Sequence, residues 1–198
     1  MNSLNITKEK IIETAAEIFS HAGFKKTTME EIAQALNRAK SSIYYYFSSK
    51  QDIYVSILEN EQQQMNEALE RCIEKEEHPL EKLRAYIKTR LRFLEVKRNF
   101  RIAMEDNSMA GYRFIQILRK KQTNQEINVI KNILISGVKE DKLSVDNIDS
   151  TASTILFSVK GLESLQGFYE KVRDIWESID TYLDILFKGI SKPPLTAV

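Results

Sequence analysis

The chain holds one cysteine, Cys72, so no disulfide can close within it, and a reducing compartment is its expected home. Only three prolines (Pro79, Pro193 and Pro194) and six glycines interrupt 198 residues. Strict alternation of apolar and polar residues is also scarce, so strands have little support and an all-α chain is expected. No apolar run approaches the roughly 20 residues that cross a bilayer. Met1 to Lys10 is polar and lacks the apolar segment of an export signal, so the expected location is cytoplasmic. Repeats of fixed period, low-complexity tracts, GxGxxG and P-loop patterns and any Ser/His/Asp arrangement are all missing. Cys72 and His78 lie close in sequence, but an expected helix end separates them and no zinc pattern results. No catalytic residue, metal ligand or cofactor can be named, and an enzyme is not expected.

What is present describes a globular protein, with hydrophobic residues at 42% and charged residues at 29%. Its length allows one sizeable core or a small head on a larger body. The net charge is only +1, yet residues 1 to 50 hold seven basic side chains against five acidic, which leaves −1 for the remainder. Within that segment Arg38, Lys40 and Lys50 share a 13-residue window free of acids. Such a window is either a footprint for phosphate or a solvated basic turn.

Helical spacing organises the chain from its first residues. Thr7 can cap a helix with Ile11, Ala15, Ile18, Phe19 and Ala22 on one face, ended by Gly23 with Phe24 folding back on Phe19. His21 then sits in the last turn, where the helix dipole favours it. Thr28 and Glu31 form a capping box ahead of Ile32, Ala33 and Leu36, and Asn37 tolerates the left-handed geometry of a sharp turn. A second short helix can therefore leave steeply from about Ala39, which is helix-turn-helix spacing. Ser49 and Asp52 repeat the capping pattern before a helix through Ile53, Ile57, Met65, Leu69 and Ile73, about 37 Å long. Further helices are expected from Pro79, around Phe100 to Met104, from about Arg113 with Ile117, Ile127, Ile130, Ile133 and Leu134 inward, and in two C-terminal segments. The expected division is a DNA-binding head, 1–50, and a helical effector-binding and dimerisation body, 51–198.

The stretch TTMEEIAQALNRAKSSIYYYFSSKQDIY resembles, in order and spacing, the N-terminal signature of the tetracycline-repressor (TetR) family of transcriptional regulators, over roughly residues 7 to 58. The resemblance implies a subunit of about nine helices in which the first three bind DNA, the fourth transmits motion and the last two form a four-helix bundle in a homodimer. By that resemblance Lys40, Ser41, Ser42 and Tyr45 match positions that face bases or flanking phosphates. Thr28, Tyr44 and Lys50 match positions that grip the backbone, and Ile43 and Phe47 match packing positions. The chemistry fits independently: lysine can donate to guanine, serine hydroxyls can donate or accept, and aromatic rings can touch thymine methyls in a major groove. Of Tyr44, Tyr45 and Tyr46, adjacent on a helix, Tyr46 is expected to pack inward. The chain departs from the family pattern at Asn37, Arg38 and Ala39, where glycine, an apolar residue and a serine-like cap are usual. Arg38, beside a helix start without a cap oxygen, is therefore a further candidate for phosphate contact.

In the body, Tyr86, Phe93, Met104, Met109, Tyr112, Phe114 and Phe157 are candidates to line an effector site, or are plain core. Ser158, Gly161, Leu165, Trp176, Ile179, Tyr182, Leu183 and Phe187 are candidates for a dimer interface, or belong to the core of one subunit. The expected function is a ligand-responsive regulator, a repressor that binds a palindromic double-stranded operator as a homodimer and is released by a small hydrophobic effector. An activator, or an all-helical hydrophobic-ligand carrier that makes no use of DNA, is the alternative.

Overall fold

The computed structural model describes residues 7–164 and 175–192, and the statements below concern these. The chain is helical throughout: α1 (Lys8–Ala22), α2 (Met29–Ala35), α3 (Lys40–Tyr44), α4 (Lys50–Glu74), α5 (Pro79–Val96), α6 (Arg98–Glu105), α7 (Arg113–Lys139), α8 (Ile148–Ser164) and α9 (Ile175–Ile190), with a short 3-10 turn at Asn107–Met109. It divides into two compact units, Met1–Asn66 with Leu94–Ile115, and Glu67–Phe93 with Gln116–Val198. The first unit thus takes in much of α4, and α6, beyond the expected head.

In the first unit the local signals act as their chemistry dictates. Thr7 accepts a hydrogen bond from the Lys10 amide, and α1 buries Ile11, Ala15 and Phe19. Gly23 ends it at φ 82°, a region glycine enters without steric cost, and its N–H donates to the Phe19 carbonyl at 2.9 Å. The rings of Phe19 and Phe24 meet at 5.8 Å, and Tyr54, Tyr112 and Phe114 complete an aromatic cluster around Phe24.

Helix α6 is fastened in the same unit by side chains that reach its backbone. Glu61 of α4 accepts from the Phe100 amide at 2.8 Å, serving a helix start whose own cap residue, Lys97, gives it no side-chain capping bond. Asn99 donates to the Ala16 carbonyl of α1 at 2.9 Å, and Tyr54 donates to the Asn99 carbonyl. Burial holds the Glu61 carboxyl above the usual carboxylate value, opposed by the Phe100 amide.

The second unit packs α5, α7, α8 and α9 around Leu83, Ile87, Leu91, Ile130, Leu134, Ile155, Leu156, Val159, Ile179 and Leu183, all buried. Gly137 lies within the last turn of α7, whose exit it was expected to mark, and it meets the side chains of Leu143 and Pro79. Its carbonyl accepts from both Lys142 and Leu143 as the chain turns back through Asp141 at φ 59°. Ile117, expected on the inner face of α7, is 60% exposed. Within this unit the inner stripe of α7 runs instead through buried Gln122, Glu126 and Ile130 at spacings of four.

Candidate functional site

The turn between α2 and α3 is built as the residues suggest. Thr28 and Glu31 make both bonds of the capping box, Thr28 N to Glu31 Oε2 at 2.7 Å and Glu31 N to Thr28 Oγ1 at 3.2 Å. Asn37 takes φ 51° and Ala39 heads α3 without any side-chain cap. Ile43 and Phe47 are buried on one side of the α3 segment, while Lys40, Ser41, Tyr44 and Tyr45 are exposed on the other, with Ser42 and Arg38 half-buried. Tyr45 is 82% exposed, far beyond what a packing residue shows.

Several residues of this surface already have partners within the chain. Lys40 forms an ion pair with Glu30 of α2 and lies 5.5 Å from the centroid of the Tyr44 ring. That hydrogen bond to Glu30 raises the Lys40 ammonium above the usual lysine value and lowers the Glu30 carboxyl. Both groups lie in solvent, so the pair positions Lys40 while costing little to open. Tyr46, expected to pack inward, is 36% exposed and stands edge-on to Tyr45 at 5.0 Å. Phe47 fills the inward position, one residue further on.

Lys50, expected to grip the DNA backbone, has a structural task. Its ammonium donates to the carbonyls of Phe24, Lys25 and Thr27 at 2.8, 3.0 and 2.8 Å, and lies 4.9 Å from the Phe24 ring centroid. An ammonium has three donors, so all are committed to the loop between α1 and α2. Spacing could not reveal this, because the acceptors are backbone atoms more than 20 residues upstream.

The effector candidates fall in both units. Tyr86, Phe93 and Phe157 belong to the second unit and Met104, Met109, Tyr112 and Phe114 to the first. Tyr112 and Phe114 pack their rings with Phe24, and Phe157 is 57% exposed on α8. The second unit instead has an open cleft of 380 Å³ lined by Glu70, Ile73, Glu74, Lys82, Val129, Asn132, Ile133 and Ser136. Its interior also holds polar and charged side chains that spacing does not reveal: Arg90, Gln122 and Glu126 are buried beside Tyr86. Arg90 pairs with Glu126 through Nε, and the Tyr86 hydroxyl donates to Glu126 at 3.3 Å. Arg90 on α5 and Glu126 on α7 are indistinguishable in sequence from solvated positions, so only the fold shows them inside.

The dimer candidates divide likewise. Ile179, Leu183 and Phe187 are buried within their own subunit, so they are core and not interface. The Arg84 guanidinium covers Phe187 at 4.9 Å, and Arg92 lies over the half-buried Trp176 ring at 5.3 Å. Tyr182 and Ser158 are half-buried, Gly161 is exposed, and Leu165 lies outside the described residues. The outward face of α8 runs through Thr154, Phe157 and Gly161, and that of α9 through Thr181 and Ile185, which is 67% exposed.

Comparison with known proteins agrees with this anatomy. Residues 11–57 match the profile described as "Bacterial regulatory proteins, tetR family". The biofilm operon icaADBC HTH-type negative transcriptional regulator IcaR of Staphylococcus aureus (strain Newman) is 47% identical over 47 residues, which are 24% of this chain and 25% of that protein. The transcriptional regulator FadR from Bacillus subtilis, solved in complex with stearoyl-CoA, superposes with TM-score 0.77 at 20% identity over 92% of this chain and 99% of its own. A protein of Saccharomonospora viridis, assigned to the transcriptional regulators and solved in complex with choline, gives TM-score 0.81 at 17% identity over 94% and 98% of the two chains. At such identities the solved structures speak for the fold alone, whereas the sequence match speaks for the first helices, and residues 11–57 are therefore similar to the N-terminal domain of the tetR family of bacterial regulatory proteins.

Proposed function

We propose that this protein is a ligand-responsive transcriptional regulator, a repressor that binds a palindromic operator as a homodimer. The observation that carries the reading is the α3 segment. It presents Lys40, Ser41, Tyr44 and Tyr45 to solvent on one side while Ile43 and Phe47 anchor it on the other. A helix set out from its support in this way can enter a major groove and offer donors to base edges, rings to thymine methyls and cations to phosphate. Arg38 and the exposed Thr28 stand beside it and serve the flanking backbone. Repression is favoured by the match to IcaR, a negative transcriptional regulator.

Dimerisation falls to the outward face of α8 and α9, where Phe157 and Ile185 would otherwise stay in water and Gly161 allows close approach. Effector binding falls to the second unit, and it shifts the population of states in which two heads reach successive major grooves about 34 Å apart. A gel shift on the chain's own upstream region tests the reading. Specific retardation with affinity falling about a thousandfold from roughly 50 to 200 mM salt is expected, and Tyr45→Ala should abolish it while leaving the melting curve unchanged. Absence of retardation even at low salt would favour a carrier of hydrophobic ligands.

A further inference from the structure

Lys40 opens α3, a place where a cation is unfavourable because the first amide N–H groups of a helix point outward. The helix itself supplies neither an acid in its first turn nor a side-chain cap. The carboxylate that meets the Lys40 ammonium comes from a different helix: Glu30 of α2 accepts from Lys40 Nζ through Oε1. The Tyr44 ring lies to another side, its centroid 5.5 Å from the ammonium. Lys40 is thus held between a carboxylate and a ring, and Glu30 is brought to the edge of the exposed surface formed by Lys40, Ser41, Tyr44 and Tyr45.

Both members of the pair keep room for a further partner. Their contact uses one of three ammonium N–H groups and one of two carboxylate oxygens. The side chains are 46% and 62% exposed, so a molecule laid on this surface reaches both, and the pair opens at little cost. A carboxylate at such a place is selective about DNA. Every phosphate repels it, and in the major groove it finds a partner only in an exocyclic amine, cytosine N4 or adenine N6.

We propose that Glu30 is a specificity-determining residue which, together with Lys40, reads a C·G base pair: Glu30 accepts from cytosine N4 while Lys40 donates to guanine O6 and N7. This rests on the reading of α3 as a recognition helix, and it adds the base pair that one corner of the surface selects. In a C·G pair the amine stands at one end of the groove edge and the two guanine acceptors lie together beside it, so an adjacent acceptor and cation match both at once. An A·T pair also offers an amine, but its acceptors N7 and O4 flank that amine, and the compact ammonium is drawn to the paired acceptors of guanine. By holding Lys40, Glu30 also keeps its charge away from phosphate, which lowers attraction to DNA of the wrong sequence.

The test recovers duplexes from a random-sequence DNA library with the full-length wild type, Glu30→Gln and Lys40→Met, and then measures salt dependence on unrelated DNA. The wild type should select a C·G pair at one position of each half-site. Glu30→Gln should lose about tenfold in discrimination at that base pair alone, and its salt slope should steepen by about one unit per subunit as Lys40 becomes free for phosphate. Lys40→Met should relax the same base pair, and both variants should melt with the wild type, since both side chains are exposed. Base preferences unchanged in Glu30→Gln, an A·T pair at the position that Lys40→Met relaxes, or an equal loss at every position would overturn the proposal. Selected duplexes that ignore Glu30→Gln sink only this assignment, whereas a wild type that recovers no duplex sinks the regulator reading with it.

Discussion

The two compact units deal with buried polarity in opposite ways. In the first, three polar side chains reach backbone atoms: Glu61 the Phe100 amide, Asn99 the Ala16 carbonyl and Lys50 three loop carbonyls. In the second, side chains meet side chains, with Arg90 and Tyr86 on Glu126 and Lys160 on Thr123. A side chain fixed to backbone stiffens a segment, whereas one fixed to another side chain can exchange its partner for a ligand. Under the proposed function, the first arrangement suits a DNA-binding head that keeps one shape and the second an effector body that responds to a small molecule.

The contrast can be broken most sharply at Glu126. Removing it as Glu126→Ala leaves Arg90 buried without its carboxylate and should cost about 3–5 kcal/mol in a urea melt. Arg90→Met together with Glu126→Leu should recover most of that loss, and a double variant as unstable as the single would mark the pair as structural. Next comes Lys50→Met, which strips three loop carbonyls of their donor and should destabilise the first unit by about 2 kcal/mol. Were the melt unchanged and only the salt dependence of DNA binding flattened, Lys50 would be a grip and not a brace. Ala39→Ser should add about 1 kcal/mol, since α3 lacks a cap oxygen, read as a higher melting temperature.

The smallest effects are in pH, and the two units should show opposite signs. Burial raises Glu61, so the folded chain keeps a proton there that the unfolded chain has lost. Stability therefore falls as pH climbs from the ordinary carboxylate value through the raised one, a slope that Glu61→Gln should remove. Lys160 is depressed, so between its lowered value and the ordinary lysine value the unfolded chain binds the extra proton. Stability there rises with pH, and Lys160→Met should flatten that slope. Urea melts across the two ranges measure both.

Legibility in the sequence follows the same division. The head could be read almost residue by residue because its signals are local: Thr28 and Glu31 close their box across three residues, Gly23 and Asn37 take positive φ where a turn needs it, and Ala39 leaves α3 uncapped. Lys50 escaped because its acceptors are carbonyls, which carry no residue identity. In the body, periodicity located the helices but not their partners. Ile179 and Leu183 were expected at an interface although a helix with surplus apolar surface can equally lie deep in its own subunit, as α9 does. Phe157 was assigned to a pocket from residue type alone, whereas exposure places it on the outer face of α8. The Arg90, Glu126 and Lys160 cluster draws on helices up to 70 residues apart in the chain, a distance over which charge patterning gives no warning.

Gly137 has a consequence for how the chain can vary. A side chain added there would begin 2.4 Å from the terminal carbon of Leu143 and 3.0 Å from Pro79. The turn after α7 and the start of α5 therefore share one small volume among three residues. In a library of variants, positions 137 and 143 should change as a pair, a larger residue at one surviving only with a smaller residue at the other, and random substitution at either alone should be purged.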